Sequence, residues 1–96
     1  MPPIQRMGDA NESGGEITSI PQASVYADGL LVAVDGAEGT SHPPCPTDGS
    51  HCAGAWTSAN GSGSVFVEGL PVNRDGDADT CGHERVGGSG TVSAGG

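Results

Sequence analysis

Ser24-Val25-Tyr26-Ala27-Asp28-Gly29-Leu30-Leu31-Val32-Ala33 returns forty residues later as Ser64-Val65-Phe66-Val67-Glu68-Gly69-Leu70-Pro71-Val72-Asn73. Apolar residues lie over apolar ones, Tyr26 over Phe66, Asp28 over Glu68, and the glycines coincide. In both copies an acid-Gly pair stands between β-favouring residues. Asp-Gly in that setting signals a two-residue hairpin, because glycine accepts the positive φ of a primed turn. Glu-Gly is a weaker signal alone and gains from the alignment. A shortened third copy follows, since Gly61-Ser62-Gly63-Ser64-Val65 reappears as Gly88-Ser89-Gly90-Thr91-Val92.

Working outward, short strands are expected at residues 16–20, 24–27, 30–34, 55–58, 64–68, 71–74 and 90–93. No segment reads as a helix, because the longest stretch free of Gly and Pro is seven residues, 22–28, short of three turns. Gly8-Asp9-Ala10, Asp35-Gly36-Ala37 and Gly76-Asp77-Ala78 read as recurrent turns. Aspartate there is expected to accept a hydrogen bond from a backbone N–H two residues on. The chain thus reads as three similar β units, the first and last incomplete, which must stack or close on one another to bury a face. The fold class is all-β: one compact, wedge-like domain over residues 1–96.

Composition narrows the function. The chain has 96 residues, of which 33% are hydrophobic, with 18 Gly, 7 Pro and a single Trp, Tyr and Phe. So thin a core calls for a metal, a disulfide or a partner. Twelve acids against three Arg give a net charge of −9. That surface repels nucleic acid and anionic membranes, so neither is expected as a partner. Met1–Arg6 lacks the apolar run of a signal peptide, and no segment reaches transmembrane length. Export, if any, is expected by another route.

All three His and all three Cys fall between His42 and His83: His42, Cys45, His51, Cys52, Cys81 and His83. An odd number of cysteines suits metal ligation, or one disulfide with a spare thiol, better than a disulfide framework. Thiolate with imidazole suits four-coordinate zinc, with iron as a second choice. His42-x-x-Cys45, His51-Cys52 and Cys81-x-His83 are three short-spaced pairs. His51 and Cys52, being adjacent, are not expected to bind together in an extended segment. Pro43, Pro44 and Pro46 stiffen the loop between the first two pairs. The alternative is a Cys–Cys disulfide with unrelated histidines. No acid is placed by a motif to serve a catalytic metal, so no catalytic residue is assigned and no enzyme is expected.

Gly63 through Asp77, followed by Asp79-Thr80-Cys81-Gly82, resembles the PAAR-repeat proteins, the small tips on the spikes of contractile phage tails and type VI secretion systems. The family writes such a unit as Gly-Ser, a Val-rich strand, Asn-Gly, Pro, Ala-Arg, Gly-Asp and then Cys-Gly. Met1-Pro2-Pro3 with Arg6-Met7-Gly8-Asp9 resembles its opening, and Gly88 through Gly96 its close. This chain has Glu68 for the usual Asn, Asn73 for the usual Ala, Val34 in the place of Arg74, and no His after Gly8-Asp9. The resemblance implies a conical, pseudo-three-fold fold whose base packs on a homotrimeric β-helical spike, one tip per trimer. It also implies a zinc near the apex held by three His and one Cys. Carried onto this chain, it makes His42, His51 and Cys81 ligands. The fourth lies between Cys45, favoured by its spacing to His42, and His83, favoured by the family's composition; Cys45 is taken here. The expected location is the baseplate of a phage tail, favoured by the short chain, or else the tip of a secretion apparatus. The competing reading is a stand-alone zinc-binding adaptor that recruits a partner through its acidic surface.

Overall fold

The computed structural model describes residues 1–95, an elongated body with extents of 35 × 23 × 22 Å. Six very short strands make three antiparallel pairs. β1 (Ile17–Ser19) pairs with β4 (Glu38–Gly39), β2 (Tyr26–Ala27) with β3 (Leu30–Leu31), and β5 (Phe66–Val67) with β6 (Leu70–Pro71). Among the described residues the one helical element is a single 3-10 turn, Gly49–His51.

The two hairpins form as the repeat predicts and in the same register, Tyr26 opposite Leu31 and Phe66 opposite Pro71. Both central residues of each turn have positive φ: 54° and 79° at Asp28-Gly29, 51° and 80° at Glu68-Gly69. That is the primed geometry which matches strand twist. Positive φ is uncommon for a residue with a side chain, and here the side chains gain partners in return. The Asp28 carboxylate accepts from the Ser89 and Thr91 hydroxyls and from Arg6 Nη1, and Glu68 accepts from Ser24 Oγ and the Ala23 N–H.

The first and last incomplete copies turn out to be halves of one unit. Val32 N–H donates to Val25 O and Val72 N–H to Val65 O, each at 3.0 Å; at the equivalent place Ile4 N–H donates to Val92 O, also at 3.0 Å. Pro3 pairs with Ser93 where Leu31 pairs with Tyr26. Ala94, next to that bridge, is buried like Ala27 and Val67 in the hairpins. Pro2 and Gly95 therefore lie where the first hairpin has Leu30 and Asp28 and the second has Leu70 and Glu68. The Gly95 carbonyl takes over the acid's task, accepting from Ser62 Oγ, Ser64 Oγ and Arg74 Nη1.

Three segments meet at the centre. Gln5 N–H donates to Asn73 O (3.0 Å), Asn73 N–H to Ala33 O (2.9 Å) and Ala33 N–H to Gln5 O (2.9 Å), a closed triangle of backbone hydrogen bonds among fully buried residues. This pseudo-three-fold junction explains why the strands are shorter than their sequence pattern. After pairing within its own hairpin, each segment turns to its neighbours through the bridges Arg6–Val32, Val34–Val72 and Ile4–Arg74. No strand forms at 55–58 or 90–93, and β4 was not foreseen. Ile4, Ala27, Val32, Val34, Val67, Val72 and Ala94 fill the core around the junction.

From the junction each segment enters the expected turn and then a return loop. Gly8 N–H donates to Ile17 O, Gly36 to Ser58 O and Gly76 to Arg85 O. In two turns the aspartate binds backwards rather than forwards. Asp9 accepts from Arg6 N–H and Nε, and Asp77 from Arg74 N–H and Nε. The remaining turn has Val34 and Ala37 at these two places, both fully buried. An ion pair has been exchanged there for an apolar one.

The carboxylates of the hairpin turns have a measurable signature. Hydrogen bonds from Ser89 and then Thr91 hold Asp28 below its ordinary pKa, and the Ser24 hydroxyl does the same for Glu68. The unfolded chain takes up these protons more readily, so the stabilisation is present above the ordinary carboxylate pKa and is lost as pH falls through the lowered values. Thermal melts between about pH 7 and pH 3 should show Tm falling on the acid side, and Asp28→Asn with Glu68→Gln should flatten that limb. An unchanged acid limb in the double variant would assign it to other groups.

Candidate metal centre

The three return loops, residues 8–17, 36–58 and 76–85, differ in length, and the side chains they contribute differ with them. The long middle loop supplies His42 and His51, the third supplies Cys81 and His83, and the first supplies Ser13 beside them. One ligand atom from each of His42, His51, Cys81 and His83 can be chosen so that all lie within 4.8 Å of one another. His42 and His51 are buried; Cys81 and His83 are half-buried. Cys81 is the one free cysteine.

Hydrogen bonding determines which atoms face inward. His42 Nδ1 lies 3.2 Å from Thr40 O, which can only accept, so that nitrogen carries the proton and Nε2 carries the lone pair. His51 Nε2 faces the Asp48 carboxylate at 3.5 Å, which leaves Nδ1 as the inward nitrogen. The third ring places Nε2 3.2 Å from Ser13 Oγ and Nδ1 3.9 Å from Cys81 Sγ. His42 Nε2 sits 3.3 Å from His51 Nδ1 and 3.6 Å from Cys81 Sγ. At these distances one cation could be shared by all of these inner atoms. Each imidazole thus has its outer nitrogen on an oxygen and its inner nitrogen on the common point, the outer arrangement that orients histidine ligands. Four donors of thiolate and imidazole type fit a tetrahedral ion of zinc-like character. This group could hold a metal ion.

Packing fixes the site from behind. The His42 ring makes an edge contact with Trp56, centroids 5.2 Å apart, and Trp56 Nε1 donates to the same Thr40 carbonyl. Trp56, Ile17 and Ala37 form a second small core, on which Cys81 packs. Gly15 leaves room for His42: a Cβ there would stand 2.6 Å from His42 Nδ1.

Cys45 departs from the expected set. Its sulfur is bonded to Cys52, seven residues on, and a disulfide sulfur is no thiolate ligand. The fourth side chain brought to the group is His83, the competing candidate in the sequence. A proline-stiffened loop with two cysteines and an odd total was the available signal for that disulfide. His42, His51 and Cys81 lie together, although the Cys52-to-Cys81 interval gives no sign of it.

A family model for the PAAR motif matches residues 7–84. The chain belongs to the PAAR-motif family. A comparison with curated proteins found no match. The matched span begins at Met7 and ends at Glu84, so it takes in the first two return loops, the third up to Glu84, and every member of the His/Cys group. PAAR-motif proteins are structural components of the spikes of phage tails and type VI secretion systems, and the all-β fold with its His/Cys group agrees with that class.

Proposed function

We propose that this PAAR-motif protein caps a homotrimeric β-helical spike, one copy per trimer, and that a zinc ion held by His42, His51, Cys81 and His83 fastens its return loops. The observation that carries the reading is the backbone triangle of Gln5, Ala33 and Asn73, which gives one chain three near-equivalent faces. Around it each unit exposes apolar side chains beside its buried ones: Val25, Tyr26 and Leu30 in the first, Val65 and Phe66 in the second, Val92 in the third. A monomer meeting a three-fold partner needs such a repeated face. The protein is a mechanical part at the point of the spike, in a phage tail or a secretion apparatus. Its metal resists separation of the loops under load, because a structural zinc contributes folding free energy directly.

Mass measurement of the complex with a trimeric spike tests this, with one chain per three spike chains expected. A complex of equal chain numbers would defeat it. Tyr26→Asp with Phe66→Asp should weaken capture at least ~10-fold, since a desolvated charge in an apolar contact costs more than the contact gains. Binding that instead collapses with added salt would favour the acidic adaptor reading.

A further inference from the structure

The Cys45–Cys52 disulfide lies inside the segment that carries two of the four side chains of the metal group. His42 stands three residues before Cys45, and His51 immediately precedes Cys52. His42 N–H donates to His51 O at 3.1 Å, so the disulfide and this bond close the segment at neighbouring points. Within it, Cys45 N–H donates to His42 O, Asp48 N–H to Pro44 O and His51 N–H to Asp48 O. These bonds stay inside the loop. Asp48 also caps the 3-10 turn through Ser50 N–H and faces His51 Nε2. The disulfide is the covalent tie of a loop that otherwise holds itself together with a few local bonds, and both cysteines are half-buried with exposed neighbours on the 43–50 side.

We propose that the Cys45–Cys52 pair is a redox-operated latch on the metal group: the metal exchanges when the pair is two thiols and is retained when it is a disulfide. This rests on the metal reading above. A cytosol keeps thiols reduced, whereas surfaces outside it permit disulfides. The loop would therefore be loose where the ion is loaded and closed where the tip is used. The oxidant is a small-molecule disulfide, RSSR. The Cys45 thiolate attacks one of its sulfurs and expels RS⁻, and the Cys52 thiolate then displaces the second RS⁻. The pair gives up two electrons, RSSR gains them as two RSH, and the sole new bond in the protein is Cys45–Cys52. Cys81 would be kept from mispairing by the ion, because its sulfur lies against His42 Nε2 and His83 Nδ1 in the group that would hold it. The coupling is reciprocal: if the disulfide tightens the metal by some factor, the metal favours the disulfide by the same factor.

The test is zinc release from the loaded protein into excess chromophoric chelator, measured for the oxidised chain, the chain treated with a phosphine reductant, and Cys45→Ser/Cys52→Ser. Loss of the support around His51 should speed release about 10- to 100-fold on reduction, the range seen when outer supports of metal ligands are removed. The double variant should release at the fast rate with or without reductant. In parallel, mass spectrometry of alkylated thiols should show the disulfide resisting reduction longer in zinc-loaded than in zinc-free protein, a comparison that needs no variant to fold. Equal release rates from oxidised and reduced protein, each holding one zinc per chain, would overturn the latch and leave the metal reading standing. An oxidised protein that takes up no zinc would overturn both.

Discussion

Stripping zinc from the loaded protein is expected to lower Tm by about 20 °C or more, and Cys81→Ala to do nearly the same with zinc present. For a chain of this size each kcal/mol moves Tm by roughly 4–8 °C, so the drop corresponds to only a few kcal/mol of the ~10–16 kcal/mol with which structural zinc binds zinc-finger peptides. The drop is large because the apolar core that the loops share is small. The second core consists of Ile17, Ala37 and Trp56, and His42 and His51 come from a different loop than Cys81 and His83. Removing the ion takes away the common partner of His42 Nε2 and His51 Nδ1, which lie 3.3 Å apart. Calorimetry of loaded and stripped protein checks this. A Tm unchanged by metal removal would remove the structural role of the site, whatever the metal content.

The three-part plan of the fold was legible in the forty-residue repeat because a hairpin is a local object. Asp28-Gly29 and Glu68-Gly69 set their own turns, and the alternation around them decides which residues turn inward. The closure of the third unit was not legible, since it depends on two segments at opposite ends of the chain. Ile4 finds Val92, and Pro3 finds Ser93, only because the other two units leave that place open. Strand lengths were overestimated for a related reason. Apolar runs such as Leu30–Val34 are buried throughout their second half, but they are buried at a three-way junction, where each residue changes partner.

At the metal group, chemistry was readable and pairing was not. Residue type and clustering pointed to the six His and Cys, and the resemblance to the PAAR-repeat family singled out His42, His51, Cys81 and a fourth donor among them. The choice between Cys45 and His83 turned on sequence spacing, which is a poor guide where a loop can bend its cysteines toward each other. Asp48, Thr40 and Ser13, which face the outer nitrogens of the histidines, carry no motif at all. Their role follows from where the loops bring them.

Arg85 gives the second large effect. The side chains of Arg85 and Asp79 are fully buried, bracket Cys81 and His83 in sequence, and meet at 2.9 Å. Arg85 also donates to Gln5 Oε1, Asp9 O and Gly15 O, and lies over the Trp56 ring at 5.8 Å. It therefore ties the central junction, through Gln5, to the loops that carry the metal group. Asp79 accepts in addition from Asn11 Nδ2, yet its Oδ1 has no partner among the described residues. Burial pushes its pKa up, against the pull of Asn11 and Arg85. Breaking a buried pair from one side typically costs about 3–5 kcal/mol, because the remaining charge is stranded. Arg85→Met should fall at the upper end of that range, since it also leaves Gln5 Oε1 without its donor and takes one of two donors from each of the Asp9 and Gly15 carbonyls. Asp79→Asn should cost less, as the amide oxygen still accepts from Arg85. Combining the two should be less damaging than their sum by about 1 kcal/mol or more, because the double variant leaves no stranded carboxylate. Denaturant unfolding of the four proteins measures that coupling. Strict additivity would mean that Arg85 acts through its carbonyl and glutamine partners alone, and that the charge on Asp79 contributes nothing to holding the third loop in place.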